Sequence, residues 1–278
     1  MSDTESEGGV PLIDPEYEAS LPAKKRKRGD EPDVSADSKK AAKKAKRKEK
    51  KKLKLKEIDE DDLDQELGVN HAFERMDSQL LADYINSRTR FYGKDLSSVE
   101  LEDRIIPARA IKDTSNWSEP RTLDNLAAFL KKQSKDLKPT ASKPPGAPHT
   151  IVVTASGIRA ADTFRSLKSG LPKQGVKNPN VAKLFAKHIK LAEQMEHLKK
   201  NKIDFGVGTP ERLSALLDQD ALSTANLKRI VIDVSYIDQK KRGILDMKEL
   251  HEPLIRLLLR KEFVDEDGQE GNDLLVFY

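Results

Sequence analysis

The sequence predicts an α/β protein in which a parallel sheet is covered by helices and a long charged segment precedes the folded part. From residue 149 onward, short apolar stretches alternate with amphipathic ones, which is the pattern of consecutive βαβ units. Residues 71–138 instead repeat apolar side chains every three or four positions, as helices do. Residues 1–66 have almost no aromatic side chains and no hydrophobic periodicity. We therefore predict that this first segment is disordered, because it cannot bury enough surface to offset its chain entropy.

The N-terminal segment consists of three charge blocks. Residues 1–23 carry six acidic residues and no basic one, residues 24–56 carry 17 Lys or Arg against five Asp or Glu, and residues 57–66 carry seven acidic residues and no basic one. The middle block holds two basic clusters, which are typical of a nuclear-import signal or a nucleic-acid tether. The candidate nucleic-acid-binding residues in these clusters are Lys24, Lys25, Arg26, Lys27, Arg28, Lys43, Lys44, Lys46, Arg47 and Lys48.

Composition excludes several classes of site. The 278 residues include no cysteine, so the chain has no disulfide and no thiolate metal site. The five histidines lack the spacing of a metal-binding motif, and we predict no metal site. No apolar run approaches the roughly 20 residues that a membrane span needs. We expect a soluble intracellular protein with no membrane partner and no small-molecule substrate.

Residues 67–148 are predicted to be a helical segment that ends in a proline-rich connection. Three stretches have helical periodicity, and Ser97 or Ser98 followed by Glu100 or Glu102 indicates a helix start. The stretches are LLADYINSRTRFY, SSVELEDRII and RTLDNLAAFLKKQSKDL. Residues 138–148, KPTASKPPGAP, cannot form a helix or an inner strand. We expect the compact fold to begin near residue 90.

Residues 149–278 are predicted to form the parallel α/β part, with four apolar strands. In order, the sequence indicates strand TIVVTAS, a helix near residues 159–168, a loop at 169–180, a long helix at 181–201, strand 203–207, helix 210–217, strand LKRIVIDVS, helix 242–261, an acidic loop and strand DLLVFY. The long helix at 181–201 would place Lys183, Lys187 and Lys190 close to one face. Such a stripe usually means a solvated face, although RNA could bind to it.

The junction GVGTPERL, residues 206–213, is a candidate phosphate site because a helix N-terminus offers free N–H groups and a positive dipole. Thr209 suits the N-cap and Pro210 suits the first helical position. Arg212 then lies in the first turn, where the dipole disfavours a cation. A bound anion would explain this arginine, and so would a neighbouring carboxylate. Ordinary helix capping explains Thr209 and Pro210 alone, and the other interpretation of the junction is a backbone-phosphate site or a protein-docking surface.

Several motifs resemble those of the first RecA-like domain of DEAD-box RNA helicases. GVGTPERLSALL resembles the helicase segment VGTPGRLxxLL, and TIVVTASGIRAAD lies where helicases have LVLVPTRELA. Both helicase segments bind RNA backbone, so the resemblance implies a single RecA-like domain with Thr209, Pro210, Arg212, Ser156 and Arg159 as candidate nucleic-acid-binding residues. LKRIVIDVSYID lies where the strand that ends in the Asp-Glu-Ala-Asp box belongs.

The nucleotide-site positions implied by this resemblance are degenerate. No GxxxxGK[ST] string occurs, and its counterpart SNWSEPRT has Pro120 in place of a glycine, Arg121 in place of the lysine, and only Thr122 preserved. In the carboxylate box, Asp233 matches the position that would hold magnesium, but Val234 replaces the acid that would orient water. We therefore predict no ATP hydrolysis, no catalytic residue and no cofactor.

As a whole, the chain is similar to the Cms family of ribosomal small-subunit biogenesis proteins. The segments that carry the similarity are ELEDRIIP, RTLDNLAAFL, SGIRAAD, GTPERL and the degenerate box. The resemblance implies a non-catalytic assembly factor of the nucleus and nucleolus whose partners are pre-ribosomal RNA and small-subunit pre-ribosome proteins. Two other hypotheses remain: an RNA-stimulated ATPase with an atypical nucleotide site, and a nuclear DNA- or chromatin-binding protein.

Overall fold

The computed structural model describes residues 60–134, 137, 144–171, 179–263 and 274–278. Among these residues, no helix combines the length and the apolar character that a membrane span requires. The helices and strands follow one another along the chain as β1 (Leu63–Asp64), β2 (Val69–Asn70), α1 (Ser78–Tyr92), α2 (Ser98–Glu102), β3 (Ile111–Lys112), α3 (Leu123–Gln133), β4 (Thr150–Val153), α4 (Gly157–Gly170), β5 (Val181–Leu184), α5 (Leu191–Lys200), β6 (Phe205–Gly208), α6 (Pro210–Asp218), β7 (Arg229–Ile232), α7 (Lys248–Leu258) and β8 (Leu275–Phe277).

Six of the strands form one parallel sheet in the order β3-β8-β7-β4-β6-β5. The central strand β4 pairs with β6 on one side and with β7 on the other, so Val153 faces Gly208 and Ile232 in register. Every residue of β4, β6, β7 and β8 is buried. Strands covered on both faces have near-continuous apolar sequences. The predicted parallel α/β sheet covered by helices is confirmed.

The two faces of the sheet bury separate hydrophobic clusters because successive side chains of a strand point in opposite directions. Ile151 and Val153 belong to the cluster that includes residues of α1, α5, α6 and α7. Val152 belongs to the other cluster, with residues of α3 and α4 and with Trp117. Helices therefore cover both faces, and the carboxyl ends of the strands lie at one edge of the sheet, where nucleotide sites of α/β proteins occur.

The predicted long helix at 181–201 is wrong in its first part. Residues Val181–Leu184 form the edge strand β5, and a helix covers only Leu191–Lys200. The strand forms because β6 contains Gly206 and Gly208, whose backbone lies against Leu184; a β-carbon on Gly206 would be 2.6 Å from Leu184 Cδ1. Pairing with a glycine-containing neighbour therefore decided the conformation of a stretch whose apolar spacing also suits a helix.

The folded body also begins earlier in the chain than predicted. Phe73, Leu81 and Ile85 lie in the same hydrophobic cluster as the central strands, so the boundary near residue 90 is wrong. Part of the segment predicted to be disordered, residues 60–66, contains a 3-10 turn and strand β1, which pairs with β2. The short edge strand β3, which pairs with β8, was not predicted either. By contrast, the predicted start of α2 is confirmed, because Ser97 and Glu100 form a capping box.

Candidate functional site

The candidate site lies where β4, β7 and β8 end. Asp233 follows β7, and its N–H donates to the carbonyl of Val153 at the end of β4 (3.0 Å). Tyr278 follows β8, and its carbonyl accepts from the N–H groups of Val234 (2.8 Å) and Ser235 (2.9 Å). The loop after β4 leads into α4, which Ser156 caps by accepting from the N–H of Arg159 (3.2 Å). The parallel register therefore brings the predicted box, Asp233-Val234, close to the start of α4.

Arg159 binds both carboxylate oxygens of Asp233. Its Nε donates to Oδ2 (2.7 Å) and its Nη2 to Oδ1 (3.1 Å), and the two side chains are only 10% and 5% exposed. The guanidinium also lies over the ring of Tyr236, 4.1 Å from its centroid. Burial acts to lower the pKa of Arg159, but the adjacent carboxylate of Asp233 outweighs it, and the net pKa is raised. Asp233 is therefore neutralised by a fixed cation of the same chain.

Arg121, at the position of the phosphate-loop lysine, points into the protein. It is 1% exposed, and its guanidinium donates to the carbonyl of Phe277 (2.9 Å) and to Oγ1 of Thr114 (3.1 Å). Burial lowers its pKa to about 10, although Glu74 and Tyr278 oppose this effect. This arginine therefore ties the loop before α3 to strand β8 and does not present a charge at the surface.

The remaining nucleotide-site positions also bond within the protein. The carbonyl of Pro120 accepts from the N–H of Thr122 (2.9 Å) and from Nδ2 of Asn125 (2.8 Å). The carbonyl of Thr122 accepts from the hydroxyl of Tyr278 (2.5 Å). Val234 is 1% exposed. In a phosphate loop, backbone N–H groups surround the phosphates, whereas here the N–H of Thr122 donates to a carbonyl of the same loop.

At the second candidate region, the GTPERL junction, Arg212 bonds to groups of the same chain. Its Nη1 donates to Oε1 of Gln194 (2.7 Å) and to the carbonyl of Ile189 (3.1 Å). Gln194 in turn donates to the carbonyls of Lys183 (2.9 Å) and Phe185 (3.0 Å) at the edge strand. The sequence favoured an anion or a carboxylate as the partner of Arg212, and the structure shows a neutral amide and a carbonyl instead.

The structure places the other predicted residues as follows. Thr209 is the N-cap of α6 but accepts no capping hydrogen bond through its side chain, and Pro210 is buried at the first helical position. Ser156 is exposed at the start of α4. The basic residues between Lys24 and Lys48 lie outside the described residues. Of the five predicted nucleic-acid-binding residues in the folded part, the two arginines are bonded to other groups of the same chain.

Sequence reasoning missed three side chains that shape these regions. Tyr236 stacks on Arg159, Tyr278 joins β8 to the loop before α3, and Gln194 links α6 to the edge strand. Tyr236 follows Asp233 by three residues and could have been noticed as a neighbour of the box. No sequence signal identified Gln194, since its role depends on the position of an arginine 18 residues further along the chain.

Comparison with known proteins gives consistent matches. A family model described as "CMS1: U3-containing 90S pre-ribosomal complex subunit" matches residues 21–278. Protein CMS1 of Chaetomium thermophilum is 49% identical over 223 residues, which cover 79% of this chain and 87% of that protein. Protein cms1 of Schizosaccharomyces pombe is 35% identical over 198 residues, covering 71% of this chain and 69% of that protein.

Among solved structures, one of Saccharomyces cerevisiae Dbp5 bound to Nup159, Gle1, IP6 and ADP is similar to this chain. The identity is 15% and the TM-score is 0.38, and the match covers 69% of this chain and 45% of that one.

Proposed function

Because the chain belongs to the CMS1 family of U3-containing 90S pre-ribosomal complex subunits, and is thus a ribosome biogenesis factor, we propose that it is a non-catalytic assembly factor of the small-subunit pre-ribosome. It binds pre-ribosomal RNA, neighbouring proteins or both through its basic tail and its helicase-like domain, and it acts in the nucleolus. It uses no nucleotide and no cofactor. The predicted similarity to the Cms family is confirmed; the binding and non-catalytic roles belong to the proposal.

The observation that carries the non-catalytic part of the proposal is the bidentate pair between Arg159 and Asp233. Phosphoryl transfer needs a carboxylate free to hold the magnesium shell and a group that orients the attacking water. Both oxygens of Asp233 accept hydrogen bonds from Arg159, and the next residue is the buried Val234. Separating a buried ion pair to admit a metal costs about 3–5 kcal/mol when one charge is left unpaired. The pair therefore acts against magnesium binding.

A direct test is isothermal titration of the full chain with ATP and Mg²⁺, with and without RNA, followed by an assay for phosphate release. We expect neither heat of binding nor turnover. If turnover is found, the Asp233→Asn variant serves as the control. Turnover that this variant abolishes would establish the RNA-stimulated ATPase and overturn the proposal, whereas turnover that persists in the variant identifies a contaminating enzyme.

The tail can be tested separately because its contribution depends on salt. Each phosphate of single-stranded nucleic acid that a cation neutralises adds about 0.7 to the slope of log K against log salt. Residues 24–56 carry 17 basic and five acidic residues. We expect deletion of residues 24–56 to flatten the salt dependence of RNA binding. An unchanged slope would remove the tail from the proposed function.

The RNA partner is identified by purification from nuclear extract followed by sequencing of the bound nucleic acid. Precursors of the small-subunit rRNA are expected among the crosslinked RNAs. Crosslinking to DNA in place of these precursors would favour the chromatin hypothesis.

A further inference from the structure

The surface formed by α4, the edge strand β5 and the turn after β5 carries three lysines, which we call the lysine row: Lys168, Lys183 and Lys187. Lys183 on β5 and Lys168 in the last turn of α4 both lie over the half-buried ring of Phe164, with Nζ 4.7 Å and 5.8 Å from the ring centroid. Lys187 lies beside the first turn of the helix, since a β-carbon on Gly157 would be 3.3 Å from Lys187 Cβ. Gly157, Phe164 and Lys168 occupy one face of α4. The lysine row thus follows the helix from its first turn to its last.

The length of the lysine row follows from the helix. Gly157 and Lys168 are 11 residues apart in α4, which corresponds to about 16 Å at 1.5 Å per residue. This distance is enough for several consecutive phosphates of one nucleic-acid strand. At the Lys187 end, the N-terminus of the 14-residue helix adds positive potential from its backbone N–H groups.

The charges of the lysine row are not neutralised within the described part of the chain. None of the three lysines forms an ion pair with a described residue, and the nearby carboxylate of Asp162 is paired with Arg165. The described residues between 157 and 202 include nine Lys or Arg and three Asp or Glu. The arginines of the predicted motifs differ in this respect, because Arg159 and Arg212 are held by Asp233 and Gln194.

We propose that the lysine row binds the phosphate backbone of RNA, an inference that rests on the proposed function. Each lysine presents a point charge on a flexible stem, which binds a phosphate without requiring a planar, bidentate geometry. The ammonium groups of Lys168 and Lys183 lie over the Phe164 ring, and this contact reduces the freedom that the two side chains lose on binding. The surface recognises charge and spacing, so binding is independent of base sequence. An acidic protein segment is the competing partner, and the test below separates it from RNA.

The test compares two triple variants of the full chain. The first is Lys168→Gln, Lys183→Gln and Lys187→Gln. The control is Lys94→Gln, Lys240→Gln and Lys248→Gln, which removes three exposed lysines that form no ion pair with described residues, one of them over the ring of Phe91. For a single-stranded rRNA fragment we expect the slope of log K against log salt to fall by about 2 in the first variant, from three contacts of about 0.7 each. The control should keep the wild-type slope.

A second measurement reports on the lysines directly. Acetylation of the wild-type chain, read by mass spectrometry, should decrease at Lys168, Lys183 and Lys187 when RNA is added and stay constant at Lys94, Lys240 and Lys248. This comparison does not depend on the fold of any variant.

The outcomes distinguish failure of this inference from failure of the proposed function. If the wild-type chain binds rRNA but both triple variants bind alike and the lysine row is not protected, the inference is overturned and the proposed function stands. If the wild-type chain does not bind rRNA, the RNA-binding part of the proposed function fails and the inference fails with it. Loss of a co-purifying acidic protein in the first variant, with an unchanged salt slope, assigns the lysine row to protein docking and overturns the RNA proposal.

Discussion

The carboxyl edge of the sheet and the lysine row differ in whether their charged side chains are buried with partners of the same chain. At the edge, Arg159, Asp233 and Arg121 lie in the interior, and each is held by partners from the same chain. Along α4 and β5, three lysines lie without a carboxylate partner among the described residues. A charge enclosed with its partner contributes to the structure of the domain, whereas an unpaired charge is available to a ligand. The charged positions Arg159, Asp233 and Arg121, which resemble helicase motifs, are thus of the first kind, and the lysine row, which lies outside those motifs, is of the second.

The largest effect is expected from removing one partner at the edge. Asp233→Ala leaves the buried guanidinium of Arg159 without its carboxylate and should reduce the free energy of unfolding by about 3–5 kcal/mol. Urea denaturation measures the change. The control is Asp162→Ala, whose more exposed pair with Arg165 should contribute less than about 1 kcal/mol. A double replacement, Arg159→Met with Asp233→Leu, should recover much of the loss. Equal losses in Asp233→Ala and Asp162→Ala would contradict the contrast between enclosed and exposed pairs.

In His251, a buried residue outside both regions, burial favours the uncharged form of the side chain. Burial, together with the nearby positive charge of Arg88, lowers the pKa of His251 to about 4 from 6.5. Between pH 6.5 and pH 4 the unfolded chain therefore binds a proton that the folded chain does not. The contribution of His251 to the free energy of unfolding is fully present above pH 6.5. It is lost as the pH falls toward 4, and the loss amounts to about 3 kcal/mol in total.

This pH dependence is checked by urea denaturation at several pH values between 7 and 4. His251→Leu should flatten the curve, whereas replacement of the exposed His197 by Gln should leave its shape unchanged. An unchanged curve in His251→Leu would show that acid destabilises the fold through other groups.

A smaller effect is expected at the GTPERL junction. Arg212→Met leaves the amide oxygen of Gln194 and the carbonyl of Ile189 without this donor, and should reduce stability by about 1–3 kcal/mol. The salt slope of RNA binding should not change, since the guanidinium already donates to Gln194 and Ile189 of the same chain. Arg256→Met is the control, because that side chain is 76% exposed. A lower slope in Arg212→Met with unchanged stability would show that the junction binds RNA, as the motif suggested.

The smallest effect on stability is expected from the lysine row. Its triple glutamine variant should change the free energy of unfolding by no more than about 0.5 kcal/mol for each site, as surface substitutions usually do. Thermal and urea unfolding measure this value beside the RNA-binding data. A loss of several kcal/mol would mean that the lysines support the edge strand, and the contrast between the two regions would then fail.

Much of the fold was predictable because local patterns and tertiary structure agree. The central strands are continuous apolar stretches, and the helix start at Ser97 has both residues of a capping box. Residues 181–184 show where prediction failed, because their spacing suits a helix but the neighbouring strand contains Gly206 and Gly208. The early helix α1 was predicted, yet its membership of the core was not, since a periodic pattern does not indicate which surface a helix packs against.

The sequence by itself determined the class of fold, the charge blocks of the N-terminal segment, and the absence of a phosphate-loop string and of a second acid in the carboxylate box, because these are properties of residue type and order. Only the tertiary structure decided where the charges face. Arg159 and Asp233 are 74 residues apart in the chain and form a pair because parallel strands end at a common edge. Lys183 lies with Lys168 over the Phe164 ring because residues 181–184 form a strand where helical spacing was present. The direction of a charged side chain and the partner that it finds depend on the helices and strands that pack around it. The residues next to it in the sequence do not determine those contacts.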